Sequence, residues 1–492
     1  MAIKRYFLTA DNVLTNAFKD NLITRATGSN MGASDILEAF VIHGQSTASV
    51  NAENAEQSRI LLKFDMTDVL TDISSGVVPS SSVSYHLKMF NAPHGETTPL
   101  SYSLNVNMLS RAWSEGRGLD MDSYTDAGNS NWINATSDVA WSQTGSDYYT
   151  ADGYKTSYFF SGGLEDLDVN IDFAVDLWRT GEIENNGFVV KNTDTVISGS
   201  QGTYYTKKFF GRTSDFYLHR PYVEARWNSS RKDNRGNILI SSSLAPAADN
   251  LNTLYLYNSI RGQLKNIPET TGSGQHVLVN FYSGSSTTPT GSALLVINSD
   301  GESVTNITGG LLVENGTNIT GTYTCSFATT SSLDTIHDVW WSGSAQFRTG
   351  SFEPSLLQAD GLIYDDQYIN SITNLRDSYQ KEAKETLRVF SRKKNWSPNI
   401  YTVATTAIKP EIIESAYYRL FRTIDGMEII PYGTGSSYET KLSYDLSGNY
   451  FDLDTSFLES GYSYGIQLLY YVNGQYKEQP EIFKFRVDDD ES

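Results

Sequence analysis

The chain has 492 residues, more than one hydrophobic core organises, so two to four domains are expected. Charged residues are only 19%, while 31 tyrosines accompany abundant Ser, Thr, Asn and Gly; Tyr and Thr suit half-buried pleated surfaces and the small polar residues supply turns, so the chain reads as all-β. The net charge of −20 excludes a duplex-binding protein, which needs a basic face to displace counterions.

The first block runs from residue 1 to about 227. Strand-like runs recur in it (ILEAFVIHG, RILLKFDM, SVSYHLKMF, YSLNVNMLS, LDVNIDFAVDLW, GFVVKN, KKFFGR, YVEARW), separated by Gly, Ser and Asn clusters at intervals that suit a two-sheet sandwich. Within QSRILLKFD (57–65), Ile60, Leu62 and Phe64 share one strand face, and Arg59, Leu61 and Lys63 share the other. Arg59 and Lys63 are expected to bury their stems and hold their charges at the sheet margin. In GLDMDSYTDAGNSNW, three carboxylates within seven residues (Asp120, Asp122 and Asp126) form the best candidate for oxygen ligation of calcium. Tyr124 at the fifth place and Asn131 at the twelfth depart from an EF-type loop. Trp132, Trp141, Tyr148 and Tyr149 follow in a loop-rich segment. They are candidates for carbohydrate stacking or partner contact, against the plainer reading that they pack loops down. The block closes on PYVEARW, and NSSRKDNRGN after it reads as an interdomain linker.

The second block, 237–357, holds seven or so short strands in about 120 residues, as an immunoglobulin-like sandwich would. Its TYTCSF run contains the single cysteine, Cys325, so no intrachain disulfide forms and the thiol is expected to be a small buried hydrophobe. The third block, 358–492, reads as a second immunoglobulin-like sandwich. YYVNGQYKE places Asn473-Gly474 between two aromatic strands, a strong hairpin signal. LRDSYQKEAKETLRV (375–389) has helical propensity without a helical stripe, and a hairpin or a short helix on a sandwich rim is expected there.

P-loops and dinucleotide-binding glycine turns are absent, and no two of the six histidines lie closer than eight residues, so no enzyme is expected. The start MAIKRYFLTADN has no apolar h-region and no run approaches 18 apolar residues; neither export nor membrane insertion is expected.

Several stretches of the first block, in order, resemble the DNRLRE-type jelly-roll domain: ADNVLTNA, SNMGASDILEAF, QSRILLKFDM as the central strand, VPSSSVSYHLKM, the Trp-Ser-Glu-Gly step at 113–116, IDFAVDLWRTGEIENNGFVV and YVEARW. The resemblance implies a jelly-roll β-sandwich over residues 1–227, followed by the two immunoglobulin-like sandwiches. KRYFLTADNVLTNAF, IIPYGTGSSYET, GNYFDLD and GYSYGIQLLYYVNGQYKE are similar to virion structural proteins of T4-like tailed bacteriophages of marine hosts. That likeness implies a non-enzymatic protein of the particle exterior (capsid decoration, neck or collar, or tail accessory). It would be assembled in the host cytoplasm and present in multiple symmetric copies or as a homo-oligomer, and it would act through contacts with other virion proteins. The alternative reading is a carbohydrate-binding, host-adhesion component of a receptor-binding fibre. No nucleic acid, membrane or obligate cofactor is expected, calcium at the aspartate loop being the one candidate ion.

Overall fold

The computed structural model describes residues 2–43, 55–98, 100–198, 203–242, 246–268, 275–284, 291–314, 316–356, 367–394 and 410–489. Strands dominate its regular structure, but the LDVNIDFAVDLW run is a strand only over Leu167–Asn170 and then a helix, Asp172–Thr180, which buries Ala174, Val175 and Trp178 on one side at helical spacing. The chain divides into two compact units, Ile3–Trp227 and Asn228–Ser492, the latter with residues 1–2. The expected boundary between the second and third blocks, at 357–358, lies outside the described residues.

In the first unit, ten strands form one continuous sheet that folds on itself: β1 (Ile3–Thr15), β2 (Ile36–Ile42), β3 (Glu56–Phe64), β4 (Ser84–Met89), β5 (Tyr102–Met108), β6 (Lys155–Phe160), β7 (Leu167–Asn170), β8 (Phe188–Asn192), β9 (Tyr204–Phe210) and β10 (Tyr222–Arg226). The pivot is β1. Its first half pairs with β10 and, after a bulge between Leu8 and Ala10, its second half pairs with β3. A bulge bends the strand and raises its twist, which lets one strand serve two layers. One layer then runs β1–β10–β4–β7 and the other β1–β3–β8–β5–β6, with β2 and β9 joined at β3.

The expected faces of β3 are present: Ile60 and Leu62 are fully buried and pair with Val190 and Phe188 of β8. The other face is also dry. Asn107, Val189, Leu61 and Asn12 stand opposite one another across β5, β8, β3 and β1, and the long β5–β6 connection lies over them.

The second unit contains two sandwiches. In the first, strands run in the order Asn252–Tyr257, Thr317–Phe327, Asn306–Glu314, Val277–Tyr282, Ile336–Ser342 and Ala345–Phe352. Residues 306–309 pair on one side and 310–314 on the other, so the strand turns from one layer into the next at Gly309-Gly310. The layers meet at Phe281 and Phe327, whose rings lie 4.2 Å apart, and Cys325 is buried in the same core, as expected. In the second sandwich, a four-stranded sheet (Tyr368–Ile372, Lys384–Lys393, Gly448–Asp454, Ser443–Asp445) faces a five-stranded one (Ser378–Gln380, Gln475–Asp488, Ser463–Val472, Ala416–Arg422, Glu428–Ile430). Stacked Tyr418 and Phe451, 4.4 Å apart, join the two layers. The Asn473-Gly474 hairpin is present, with both residues at positive φ.

Residues 375–389 are neither a hairpin nor a helix. Strand 378–380 joins the five-stranded sheet beside 486–488, while 384–393 joins the four-stranded one. Glu382, at φ 70°, turns the corner, and Leu387 and Val389 alternate into the core. Propensity was overridden by this period-two burial.

Candidate functional site

The β5–β6 connection, residues 109–154, gathers every site residue expected in the first unit. It is anchored where Leu109 bridges Tyr148. Trp113, Trp132 and Trp141 are buried with Leu14, Leu61, Leu109, Ala135 and Val189 in a small core on the outer face of the sheet. The Trp113 indole N–H donates to Asn186 O at 3.0 Å and that of Trp141 to Asn131 O at 2.8 Å, so both buried donors are satisfied. Trp132 and Trp141 therefore offer no stacking platform. Their rings are the floor of a lid, because the area of an indole is worth most when removed from water. Tyr148 and Tyr149 are half-buried at its rim.

The SNMG stretch meets the WSEGRG stretch of the lid. Asn30 accepts from the Gly118 N–H at 3.0 Å and donates to Asp126 O at 2.8 Å. A β-carbon on Gly116 would fall 1.9 Å from Asn30 Oδ1, and one on Gly118 2.0 Å from Asn30 O, so only glycine permits the approach.

Arg59 departs from its expected place at the margin. Its guanidinium is buried 4.9 Å from the Trp132 ring and 5.6 Å from that of Tyr148, and it donates through Nη1 to Gly145 O at 3.1 Å. Burial pushes its pKa down, opposed by the Tyr148 hydroxyl and Asp194. Aromatic faces hold this cation where a carboxylate would be usual.

The three aspartates do not converge on a common point. Asp120 Oδ1 accepts from the backbone N–H groups of Asp122, Ser123 and Tyr124 at 2.6 to 3.0 Å, which hold its pKa below the ordinary value. Asp126 accepts from Arg117 N, Gly128 N and Asn129 Nδ2, which outweigh the effect of its partial burial. Asp122 lies 3.8 Å from the Lys19 amine. Their lone pairs organise the loop, and among the described residues no group of three His, Cys, Asp or Glu is placed to hold a metal. The calcium expectation is corrected accordingly: spacing put the acids close in sequence, and turn formation used their oxygens.

Two further charged features went unread in the sequence. Across β1, β10, β4 and β7 runs a ladder: Arg5 and Arg226 each lie 2.7 Å from Glu224, Arg226 lies 2.8 Å from Asp168, and His86 lies 2.7 Å from Asp168. Burial would raise the Glu224 pKa, but Arg5 and Arg226 bring it down to about 2. Lys207 is buried beside Phe160 and Phe209, and burial lowers its pKa to about 8. Its amine donates to Asn91 Oδ1, Gly163 O and Glu165 O at 2.6 to 2.9 Å, so all three protons are committed to structure.

In the second unit, residues 228–237 do not form a solvated spacer. Arg231 and Asp233 exchange backbone hydrogen bonds with Tyr444 in the second sandwich. Arg231 grips Glu314 of the first sandwich through two hydrogen bonds, 2.5 and 2.8 Å, and Arg235 grips Asp338 likewise at 2.7 and 2.9 Å. Asn234 accepts from Thr253 N in one sandwich and donates to the Tyr444 hydroxyl in the other. The Arg and Asn residues of the stretch read as a linker are the ones that clamp the two sandwiches together.

No protein-family model matches the chain, and no curated protein matches its sequence. Solved structures similar to it include the N-terminal Ig1-2 module of the Drosophila receptor protein tyrosine phosphatase DLAR, at 8% identity over 48% of this chain and 90% of that one, with a TM-score of 0.14. A marsupial T cell receptor matches at 10% identity over 49% of this chain and 68% of that one, TM-score 0.15. Trypsin-activated alpha-2-macroglobulin from Escherichia coli matches at 7% identity over 88% of this chain and 23% of that one, TM-score 0.16. Likenesses at this level say nothing of function.

Proposed function

We propose that this chain is a non-enzymatic structural component of a bacteriophage particle, presenting stiff β-layered surfaces to neighbouring virion proteins. The observation that carries the reading is the clamp at 228–237. A segment that could have been a flexible tether is fixed by two bidentate Arg–carboxylate pairs and by backbone pairing to Tyr444, as a part that transmits position or load requires. The lid over β3 and the Arg5–Glu224–Arg226 ladder favour the same reading, since both spend polar groups on rigidity. Mass spectrometry of purified particles, with imaging of antibody-labelled virions, tests it. The chain is expected at constant copy number per particle, and its absence from purified particles would sink the proposal.

A further inference from the structure

The outer face of the five-stranded sheet carries an aromatic surface that the clamp and the sandwich core do not use. Tyr471 and Tyr476 face each other across the Asn473-Gly474 hairpin with ring centroids 4.8 Å apart. Tyr476 is 6.1 Å from Tyr417, which is in turn 6.4 Å from Tyr438 on the loop after strand 428–430, so four rings form a continuous row. Tyr417 is 3% exposed and forms the base. Tyr438, Tyr471 and Tyr476 are 39%, 44% and 51% exposed. A cross-strand aromatic pair stabilises its hairpin, but that role does not account for the third exposed ring, which arrives from a separate loop. A contiguous wet aromatic patch marks a binding surface more often than a lone exposed ring does.

The polar groups beside the row are already fixed. Arg419 donates to Gln467 Oε1 at 2.6 Å, lies 3.5 Å from Glu428 and 3.6 Å from Glu478, and sits over the Phe421 and Tyr432 rings. The Tyr432 hydroxyl donates to Glu478 at 3.3 Å. Glu428 and Glu478 are thus held in place with half-exposed carboxylates that can accept further hydrogen bonds. Arg419 and Lys441 offset these two acids, leaving the patch close to neutral on a chain of net charge −20.

Exposed rings for the C–H face of a sugar, fixed acceptors for its hydroxyls and little local charge together fit one ligand class. We infer that this face binds a neutral oligosaccharide, with Tyr471, Tyr476 and Tyr438 as the stacking residues and Glu478 as a hydroxyl acceptor. The site is separate from the lid tryptophans, and the inference stands whether or not the chain is a virion protein.

The test uses the full chain on a printed array of neutral glucan, mannan and galactan oligomers, with uronate oligomers for comparison. Retention of at least one neutral series is expected. Tyr476→Ala and Tyr471→Ala should each weaken it about tenfold, Tyr476→Phe should preserve it, and Trp132→Phe, in the other unit, should leave it unchanged. Circular dichroism and the melting temperature separate lost binding from misfolding, because both tyrosines are surface residues. A silent array with folded protein would overturn the inference. So would retention of uronates alone, or binding that survives the Tyr471→Ala, Tyr476→Ala double variant. If the array is silent but the double variant no longer joins particles, the face is a protein contact and the glycan assignment is wrong.

Discussion

Residues 109–154 and 228–237 are both rich in Ser, Asn, Gly and Asp, and both are fixed parts of their units, yet different forces hold them. The first is a lid whose three tryptophans are removed from water, while its carboxylates cap turns of the loop (Asp120, Asp126) or pair locally with Arg111 (Asp147). The second has little apolar surface and is held by guanidinium–carboxylate pairs. Apolar burial is non-directional and survives screening, whereas a buried ion pair depends on both partners being present and charged. The lid should therefore fail when volume is lost, and the clamp when charge is lost.

The largest effect is expected in the lid. Trp132→Ala removes the ring that packs on Arg59 and Gly145 and should destabilise the first unit by about 3–5 kcal/mol. The chain has more than one cooperative unit, so the loss is best read by hydrogen exchange localised to residues 3–227 in a urea series. The same loss is expected at about 0.1 and 1 M salt, a range over which exposed charge pairs are progressively screened. A loss that shrinks in high salt would show that the lid is held by charge after all.

The clamp gives the next effect. Asp338 is fully buried, pairs with both Nη atoms of Arg235 and accepts from the Trp340 indole at 2.7 Å. Asp338→Ala leaves the Arg235 cation without its counter-ion and should cost about 3 kcal/mol, seen as lost exchange protection at 228–237 and 443–445. Arg235→Met in the Asp338→Ala background should recover part of that loss, since it removes the stranded charge. If the double variant is no better than the single, the ionic account of the clamp is wrong.

The contrast also explains what the sequence made legible. Period-two burial at Ile60, Leu62 and Phe64 needs only strand geometry, and the Asn473-Gly474 turn needs only backbone preference, so both could be read locally. The burial of Trp132, Trp141 and Arg59 depends on what covers the second face of β3, and that cover comes from about fifty to ninety residues further along the chain. No local pattern carries such information. The charged stretch 228–237 read as a linker because its partners, Glu314, Asp338 and Tyr444, are remote in sequence. The tyrosine row was half accessible: two residues placed symmetrically about a two-residue turn must face each other, which sets Tyr471 against Tyr476. Tyr417 and Tyr438 join only through the fold.

The smallest predicted effect separates charge from shape within the clamp itself. Asp233 is buried, and burial raises its pKa from 3.8 to about 6, although the Arg235 N–H and guanidinium pull the other way. The folded state thus binds this proton more tightly than the unfolded chain does. The stabilisation from the neutral carboxyl is fully present below about pH 3.8, fades as pH rises towards 6, and is absent above. Asp233→Asn keeps an acceptor for the Arg235 N–H while removing the buried charge. It should stabilise the second unit by about 1–2 kcal/mol near pH 7.5 and by almost nothing near pH 4. Thermal unfolding at the two pH values, with exchange protection at 228–237 as the local readout, measures the difference. An equal gain at both would mean that shape rather than ionisation limits the clamp. A loss at the higher pH would mean that Arg235 needs the Asp233 charge alongside that of Asp338, making the clamp a three-membered ionic cluster rather than a pair with a strained neighbour.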